Sequence, residues 1–454
     1  MSRPDLRLPA CCCEASRLRR PAGNMMRSRR GRRTTTGWIN LARRLQGGKR
    51  SLPWKPLLPS RMMQRVLVIQ LARLGDLIQT IPTITSLKES HPDWHVDLLC
   101  PASLEPIGRL LPGISRVVKW DGAAWNRRAM KAETELRTEH LGEADAELRA
   151  VTHELYDCAF VLNQHARAIL AGALLAKKSI GTIVGGPLAE KLSPWATYVR
   201  AVATDRENNR IHLADAFCGM CGLVPPKRLM PIEVPSVPLP VDLDPIGQSE
   251  GPWIALLVGA GDQERLVPVT AWNRLITACL DAFPRRRIVL VGHECEQERA
   301  RSIQEALPPS LMGRVWDTTG RLSLTQLAVV LTRCRVVIGA DTGPLHLAAA
   351  AGTQVIGWYF ARARVHETGP YGSNHWVWQA ENGEEEKGLI RPSRWPIEET
   401  IALLSGQAVT SVENWSLWAS HRDRLGAYYV EAGHEPIAPP QREQIWQGLQ
   451  LSPV

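Results

Sequence analysis

The chain has 454 residues, of which 44% are hydrophobic and 22% charged, and its formal net charge is +10. This length exceeds what one ordinary domain needs and suits two domains that each bury a core. Residues 1–62 hold 16 Lys and Arg against two acidic residues, so the rest of the chain is mildly acidic and the net charge is weak evidence for nucleic-acid binding.

The basic segment 1–62 shows no sustained apolar period, so it cannot bury enough surface to offset the entropy of ordering and is predicted to be disordered. Three interpretations of it stay open: a start codon assigned too far upstream, with Met62 or Met63 as the true start, an organellar transit peptide, or a genuine basic tail for acidic partners.

Membrane spans and metal sites find little support in the sequence. No apolar run reaches the ~18 residues that cross a bilayer. The Cys-x-x-Cys pair Cys218 and Cys221 has no second pair at zinc spacing. We therefore expect a soluble, cytoplasmic body with reduced thiols, no metal and no nucleic-acid partner.

Residues 63–224 alternate predicted strands and helices, which is typical of an α/β domain with parallel strands. The predicted strands are 65–71, 95–100, 117–120 and 158–162, and the predicted helices are 78–89, 131–154 and 166–176. The run Val-Leu-Val-Ile-Gln-Leu in the first strand is apolar enough for a sheet that is covered on both faces.

Residues 225–252 contain eight prolines, a density incompatible with helix or central strand, and are predicted to be an interdomain linker. The alternation then restarts over residues 253–400. The predicted strands there are 253–258, 287–291, 335–339 and 354–359, and the predicted helices are 271–282, 296–307, 323–332 and 343–351. After residue 400 the pattern weakens, and 401–454 is predicted to be a tail in which a helix over 441–451 could return to the N-terminal domain.

The sequence thus predicts two Rossmann-like, doubly wound α/β domains that face a central cleft, where ligands bind in this fold class. Ala72-Arg73-Leu74-Gly75-Asp76 lies between the first strand and a helix. Gly75 permits a tight turn, and Asp76 would stand at or near the helix N-cap facing the cleft. Alternatively, Asp76 only caps its helix. The absence of a G-x-G-x-x-G pattern argues against a dinucleotide-binding dehydrogenase.

A second strand-turn-helix element runs from Gly339 to Ala350. Thr342 and Gly343 would offer a hydroxyl and backbone N–H groups at a helix N-terminus, which is a site suited to a diphosphate. His346 on this helix could equally be a packed residue.

Two loops of the second half complete the pattern. In the loop 259–268, Arg265 could bind phosphate oxygens in a bidentate, charge-assisted way, or it could be a solvated surface residue. In the segment 292–296, Glu296 could accept hydrogen bonds from ribose hydroxyls, or it could cap a helix.

In this order the four elements resemble glycosyltransferase family nine, the ADP-heptose:lipopolysaccharide heptosyltransferases, over roughly residues 63–378. The most specific similarity is Gly339 to Ala350 followed by Gly369-Pro370-Tyr371-Gly372, and next is Leu74-Gly75-Asp76 followed by Thr80-Ile81-Pro82. The resemblance implies a GT-B fold with the acceptor on the N-terminal domain and the nucleotide sugar on the C-terminal one.

Carried over onto this chain, the resemblance implies Asp76 as the catalytic base, with Arg73 and Gly75 beside it in the acceptor cleft. The donor-binding residues that it implies are Arg265, Glu296, Leu322, Asp341, Thr342, Gly343 and His346. Arg265 would neutralise the diphosphate, Asp341 would contact the sugar, and Leu322 would pack on adenine. The implied reaction is a metal-independent inverting transfer of heptose from ADP-heptose to a lipopolysaccharide core (lipid A-core) or other glycan acceptor.

Some residues depart from the family pattern. Arg265 replaces a usual Lys, Leu266-Val267 replaces a common Arg-Trp pair, and Phe360-Ala361-Arg362 replaces a frequent Gly-Pro-Thr. Alternatives therefore stay open: another sugar nucleotide, a protein acceptor, a non-catalytic nucleotide-sugar-binding protein, or a basic nucleic-acid-associated protein. A lipid-linked acceptor would bring the protein into peripheral contact with the cytoplasmic face of the membrane.

Overall fold

The computed structural model describes residues 65–121, 146, 149–184, 190–204, 206–243, 246, 253–381, 384–386 and 389–450. The basic segment 1–62 and most of the predicted helix 131–154 lie outside the described residues. Over the described residues, the chain forms two large sheets with helices packed on their faces.

The first sheet is built by residues before 193 and has the order β3-β2-β1-β4-β5-β6. Its strands are β1 (Arg65–Ile69), β2 (His95–Pro101), β3 (Arg116–Trp120), β4 (Cys158–Val161), β5 (Ser179–Val184) and β6 (Glu190–Leu192). The accompanying helices are α1 (Leu74–Ile78), α2 (Ile81–Ser90), α3 (Glu105–Gly108), α4 (Ala166–Leu175), α5 (Pro194–Val202) and α6 (Leu213–Met220). Strands β1 to β5 are parallel, and β6 pairs antiparallel with β5.

The start of the first helical region differs from the sequence prediction of a helix over 78–89. Helix α1 begins at Leu74, with the extended residue Arg73 as its N-cap, and α2 follows from Ile81. Asp76 is therefore the third residue of α1 rather than its N-cap, and its carboxylate accepts the Arg73 N–H at 3.3 Å. Pro82 lies in the first turn of α2, where its missing N–H is tolerated.

The second sheet has the order β16-β15-β12-β11-β10-β7-β8-β9. Its strands are β7 (Trp253–Leu257), β8 (Arg287–Val291), β9 (Val315–Asp317), β10 (Cys334–Ala340), β11 (Gln354–Tyr359), β12 (Trp376–Ala380), β15 (Trp415–Asp423) and β16 (Gly426–Glu431), while β13 (Glu384–Glu386) and β14 (Leu389–Arg391) form a separate hairpin. The helices are α7 (Val269–Ala282), α8 (Gln297–Glu305), α9 (Pro309–Met312), α10 (Leu324–Arg333), α11 (Gly343–Ala350), α12 (Val365–Thr368), α13 (Ile397–Leu404) and α14 (Gln441–Gln450).

The region after residue 400 holds more structure than the predicted tail. Strands β15 and β16 pair antiparallel with each other, and β15 extends the sheet beyond β12. Helix α14 packs against α5 of the first domain, where the rings of Trp446 and Trp195 lie 4.3 Å apart. The end of the chain therefore connects both domains.

The proline-rich segment carries no helix or strand over the described residues 225–243, apart from a 3₁₀ turn at Val241–Leu243. It still contributes the buried side chains of Ile232, Leu239 and Leu243 to the apolar cluster that the two domains share. That cluster joins α2 and α3 of the first domain to α10 and α11 of the second. None of the described helices is long and apolar enough to cross a membrane.

Candidate active site

Two buried amide side chains, those of Asn163 and Gln70, hydrogen-bond to the segment that follows β1. Asn163, at the end of β4, accepts the Leu71 N–H at 2.5 Å and donates to Gln70. Gln70 in turn donates to the Asp76 carbonyl at 3.3 Å, and the Thr80 hydroxyl donates to the same carbonyl at 2.9 Å. This network fixes the backbone of α1 and so the direction of the Asp76 side chain.

Across the cleft, Asp341 lies directly after β10 at the centre of a polar cluster. Its carboxylate bonds to His346 Nε2 at 3.1 Å and accepts the Thr368 hydroxyl at 3.2 Å, while Arg265 lies 3.8 Å away. Burial alone would raise the pKa of Asp341, but the hydrogen bond and charge of His346, followed by Arg265 and Thr368, hold it below its ordinary value. Asp341 is thus an ionised carboxylate that keeps a proton on His346 Nε2.

Helix α11 presents its N-terminus at the same place. Thr342 is its N-cap with an extended backbone, and the Thr342 side chain makes no capping bond. Within the described part of the chain, Thr342 Oγ1 and His346 Nδ1 are buried without a hydrogen-bond partner. Buried polar atoms in native proteins are normally satisfied, so these two atoms point to a polar ligand at the helix N-terminus.

The two domains meet at this point because α1 packs on the start of α11. A Cβ placed on Gly75 would lie 2.9 Å from His346 Cδ2, and one placed on Gly343 would lie 2.7 Å from Leu74 Cβ. Side chains at either glycine would therefore push the helices apart. This contact brings Asp76 close enough to His346 and Asp341 for their charges to act on it.

The Asp76 carboxyl group has a raised pKa, mainly because burial disfavours its charged form. Repulsion from Asp341 adds to this rise, whereas the Arg73 N–H and the charges of His346 and Arg73 oppose it. A raised pKa makes this carboxylate a stronger proton acceptor than a solvated one.

Two guanidinium groups from different domains lie beside Gly261. A Cβ on Gly261 would be 3.2 Å from Arg265 Nη2 and 3.8 Å from Arg73 Nη1. Arg265 is oriented by Asp262, which accepts from Nε at 2.9 Å, and it donates from Nη1 to the Asp341 carbonyl at 2.6 Å. Each Nη still carries a further N–H for a ligand. The site therefore combines two cations with a helix N-terminus, which suits a diphosphate.

Glu296 lies at the carboxyl ends of β7 and β8, against two glycines. Its carboxylate accepts the His293 N–H at 2.6 Å. A Cβ on Gly259 would overlap this carboxylate at 1.8 Å, and one on Gly292 would lie 2.8 Å from it. Only glycine fits at these positions without moving Glu296. Leu322, half-buried in the loop between β9 and α10, lies in the neighbouring connection.

We expect Gly259→Ala to weaken ADP binding about tenfold, since the added methyl displaces the Glu296 carboxylate and removes about one charge-assisted hydrogen bond. Calorimetric titration with ADP measures this. Gly313→Ala is the matched control, because a Cβ there meets no atom within 4 Å. Equal ADP affinity in both variants would contradict a nucleotide role for Glu296.

Three contributors to the site were missed by sequence analysis. Asp262 orients Arg265, Thr368 binds Asp341, and the half-buried Glu367 on α12 has its pKa raised to about 7, mainly by burial. Asp262 lies in the loop already singled out, so its spacing of three from Arg265 was a usable signal. The α12 residues lie 26 and 27 positions beyond Asp341, and no local pattern marks them.

Comparison with known proteins agrees with this arrangement. Residues 238–391 match the model of glycosyltransferase family 9 (heptosyltransferase). Lipopolysaccharide heptosyltransferase 1 of Pseudomonas aeruginosa is 24% identical over 324 residues, which are 68% of this chain and 81% of that protein.

Two solved structures show the fold. The family 9 glycosyl transferase of Veillonella parvula superposes with a TM-score of 0.53 at 18% identity, over 72% of this chain and 90% of that one. The E. coli heptosyltransferase WaaC with ADP gives a TM-score of 0.51 at 20% identity, over 70% and 93% of the two chains.

Two Rossmann-like domains with a polar site between the carboxyl ends of their sheets form a GT-B fold. The resemblance to glycosyltransferase family 9 that the sequence motifs indicated is thus supported over residues 238–391.

Proposed function

We propose that this enzyme transfers a heptose from ADP-heptose to a lipopolysaccharide core acceptor by a single inverting displacement. The observation that carries the proposal is the meeting of Asp76, from the first domain, with the Asp341–His346 pair and the N-terminus of α11, from the second. The relative from Pseudomonas aeruginosa is named a lipopolysaccharide heptosyltransferase, which supports the proposal.

Asp76 is the proposed base. As the acceptor hydroxyl attacks the anomeric carbon from the face opposite ADP, its proton passes to the Asp76 carboxylate and the bond between that carbon and the diphosphate breaks. The environment that raises the pKa of Asp76 makes it a stronger base. The bond from the Arg73 N–H holds the carboxylate in place.

The departing ADP gains negative charge, and cations of the protein stabilise that charge. Arg265 is preoriented by Asp262, and Arg73 lies beside the same glycine, Gly261. The N–H groups at the start of α11 and the Thr342 hydroxyl would bind the phosphate oxygens. We propose that the enzyme needs no metal for this step.

The remaining donor contacts are those that the family resemblance implies. Glu296 would accept the ribose hydroxyls, Leu322 would pack on the adenine, and Asp341 would bind hydroxyls of the transferred sugar. His346 Nδ1, which is buried without a hydrogen-bond partner, would offer a further polar contact. The acceptor would enter from the first domain beside Arg73 and Gly75. With a lipid-linked acceptor, the enzyme would act at the cytoplasmic face of the membrane.

A panel of sugar nucleotides tests the proposal. Purified enzyme is incubated with ADP-heptose, ADP-glucose, UDP-glucose and GDP-mannose, each with a heptose-free core acceptor and with a peptide acceptor. We expect turnover with ADP-heptose and the core acceptor, and NMR of the product should show an inverted anomeric centre. Turnover with another donor, or with the peptide acceptor, would replace the proposed substrates but keep the class of enzyme. Retention of configuration would exclude the single displacement.

A further inference from the structure

The N-terminal turn of α6, in the first domain, makes three polar contacts to the second domain, of which two are buried and the one to Tyr371 is partly buried. Asp215 accepts the Tyr371 hydroxyl at 2.7 Å through one carboxylate oxygen and the Ala427 N–H at 2.9 Å through the other. His212, the N-cap of α6, bonds through Nε2 to the Gly369 carbonyl at 2.8 Å. All of these contacts join residues that are at least 156 positions apart in sequence.

The hydrogen-bonding roles at His212 are fixed by its surroundings. Its Nδ1 accepts the Ala214 N–H at 3.1 Å, so Nε2 carries the proton and donates to Gly369. Burial lowers the pKa of His212 to about 3, which keeps the ring neutral. The ring also meets the Tyr371 ring edge-on, with centroids 5.0 Å apart.

The residues around Asp215 and Gly369 are closely packed. Asp215 is completely enclosed, and burial raises its pKa to about 7. A Cβ on Gly426 would lie 2.0 Å from its carboxylate, and one on Gly369 would overlap the Tyr429 ring at 2.4 Å. A buried carboxylate is costly unless its hydrogen bonds are complete. The two domains can therefore satisfy Asp215 in one relative position.

The loop held by α6 is directly continuous with the donor site. Residues 369–371 follow Thr368, whose hydroxyl donates to the Asp341 carboxylate and whose carbonyl accepts the Tyr359 hydroxyl at 2.7 Å. A short path of bonds thus runs from Asp215 through Tyr371 and Thr368 to Asp341. Sequence similarity grouped residues 369–372 with the donor signature, and in the structure the Tyr371 hydroxyl of this segment bonds to Asp215 of the first domain.

We propose that Asp215, Tyr371 and His212 form an interdomain clasp whose task is to position Asp76 of the first domain against the sugar bound by the second. The three are positioning residues, since they act through the domain arrangement and not on the reacting atoms. The inference rests on the proposed transfer reaction for its kinetic consequences, and on the contacts alone for its structural ones.

Tyr371→Phe tests the clasp with the smallest change, because it removes one hydroxyl and keeps the ring. We expect kcat to fall about tenfold, as for the loss of one hydrogen bond, while the affinity for ADP falls less than kcat, because Arg73 is the one proposed nucleotide contact that the first domain supplies. Asp215→Ala removes both carboxylate contacts and should act in the same direction. The double variant should lose no more than the stronger single variant, because both substitutions break the same contact.

Tyr428→Phe is the matched control. Like Tyr371→Phe, it removes one tyrosine hydroxyl. Tyr428 lies on β16, and its hydroxyl donates to the Pro436 carbonyl and does not reach the first domain. We expect it to keep the parent kcat. Parental kcat in Tyr371→Phe, or a loss of ADP affinity as large as the loss in kcat, would overturn the clasp.

Small-angle X-ray scattering provides a readout that does not depend on the substrate. Tyr371→Phe and Asp215→Ala should have a larger radius of gyration than the parent and than Tyr428→Phe, because the domains separate more often. If the enzyme used a different sugar donor, this difference would remain and the clasp would stand. Identical scattering curves for all four proteins would overturn it.

Discussion

Asp76→Asn should reduce turnover by about 100-fold or more, the lower end of what a general base contributes. Asparagine keeps the size of the side chain, and its oxygen can still accept the Arg73 N–H that the carboxylate now accepts at 3.3 Å. Asparagine cannot take up the acceptor proton. Turnover at saturating donor and acceptor is the measurement, with thermal melting to show that the variant remains folded.

The dependence of kcat/KM on pH should change in the same variant. In the parent, the base works only when ionised, so kcat/KM should fall as the pH drops through the pKa of Asp76, which lies above the ordinary value of an aspartate. Asp76→Asn should lose this limb of the profile. Asp93→Asn, an exposed aspartate of the same domain, is the control and should behave as the parent. Near-normal turnover by Asp76→Asn would mean that another group is the base.

The parts of the site that could be predicted from sequence are those built by local strand-turn-helix geometry. Asp76 and Asp341 each follow a buried parallel strand, and Arg265 and Glu296 lie in loops after β7 and β8. Carboxyl ends of parallel strands meet at one edge of a sheet, so a linear pattern is enough to bring such residues together. The pattern could not predict that Asp76 is the third residue of α1. That position depends on Arg73 as the N-cap, and arginine has a weak preference for capping.

The parts that could not be predicted depend on contacts between distant segments. Strands β15 and β16 are antiparallel and half-exposed in places, so they lack the continuous apolar runs that marked the parallel strands. From sequence, Asp215 is an ordinary acidic residue in the first turn of a helix. Its hydrogen-bond partners Tyr371 and Ala427 come from the other domain, so no local pattern predicts them. Gln70, a polar residue inside a buried run, was the clearest local sign of the network beneath Asp76.

Arg265→Ala should raise the dissociation constant for ADP by about 10- to 150-fold, which corresponds to the ~1.5–3 kcal/mol of a charge-assisted hydrogen bond. The Arg265 side chain is 18% exposed and is already ordered by Asp262 and the Asp341 carbonyl. Little entropy is therefore lost when it binds a phosphate. Calorimetric titration of the variant with ADP gives the affinity directly.

The fold should tolerate Arg265→Ala, because Asp262 is 42% exposed and water can replace its lost partner. Asp341 loses an opposing charge but keeps His346 and Thr368, so it stays hydrogen-bonded. Arg265→Lys keeps the charge without the planar fork and should retain an intermediate affinity. Arg301→Ala, which breaks an exposed pair with Glu298, is the matched control and should leave ADP binding unchanged. If Arg265→Ala bound ADP as tightly as this control, the diphosphate would have to lie elsewhere, and Arg73 with the N-terminus of α11 would be the remaining cationic surface able to hold it.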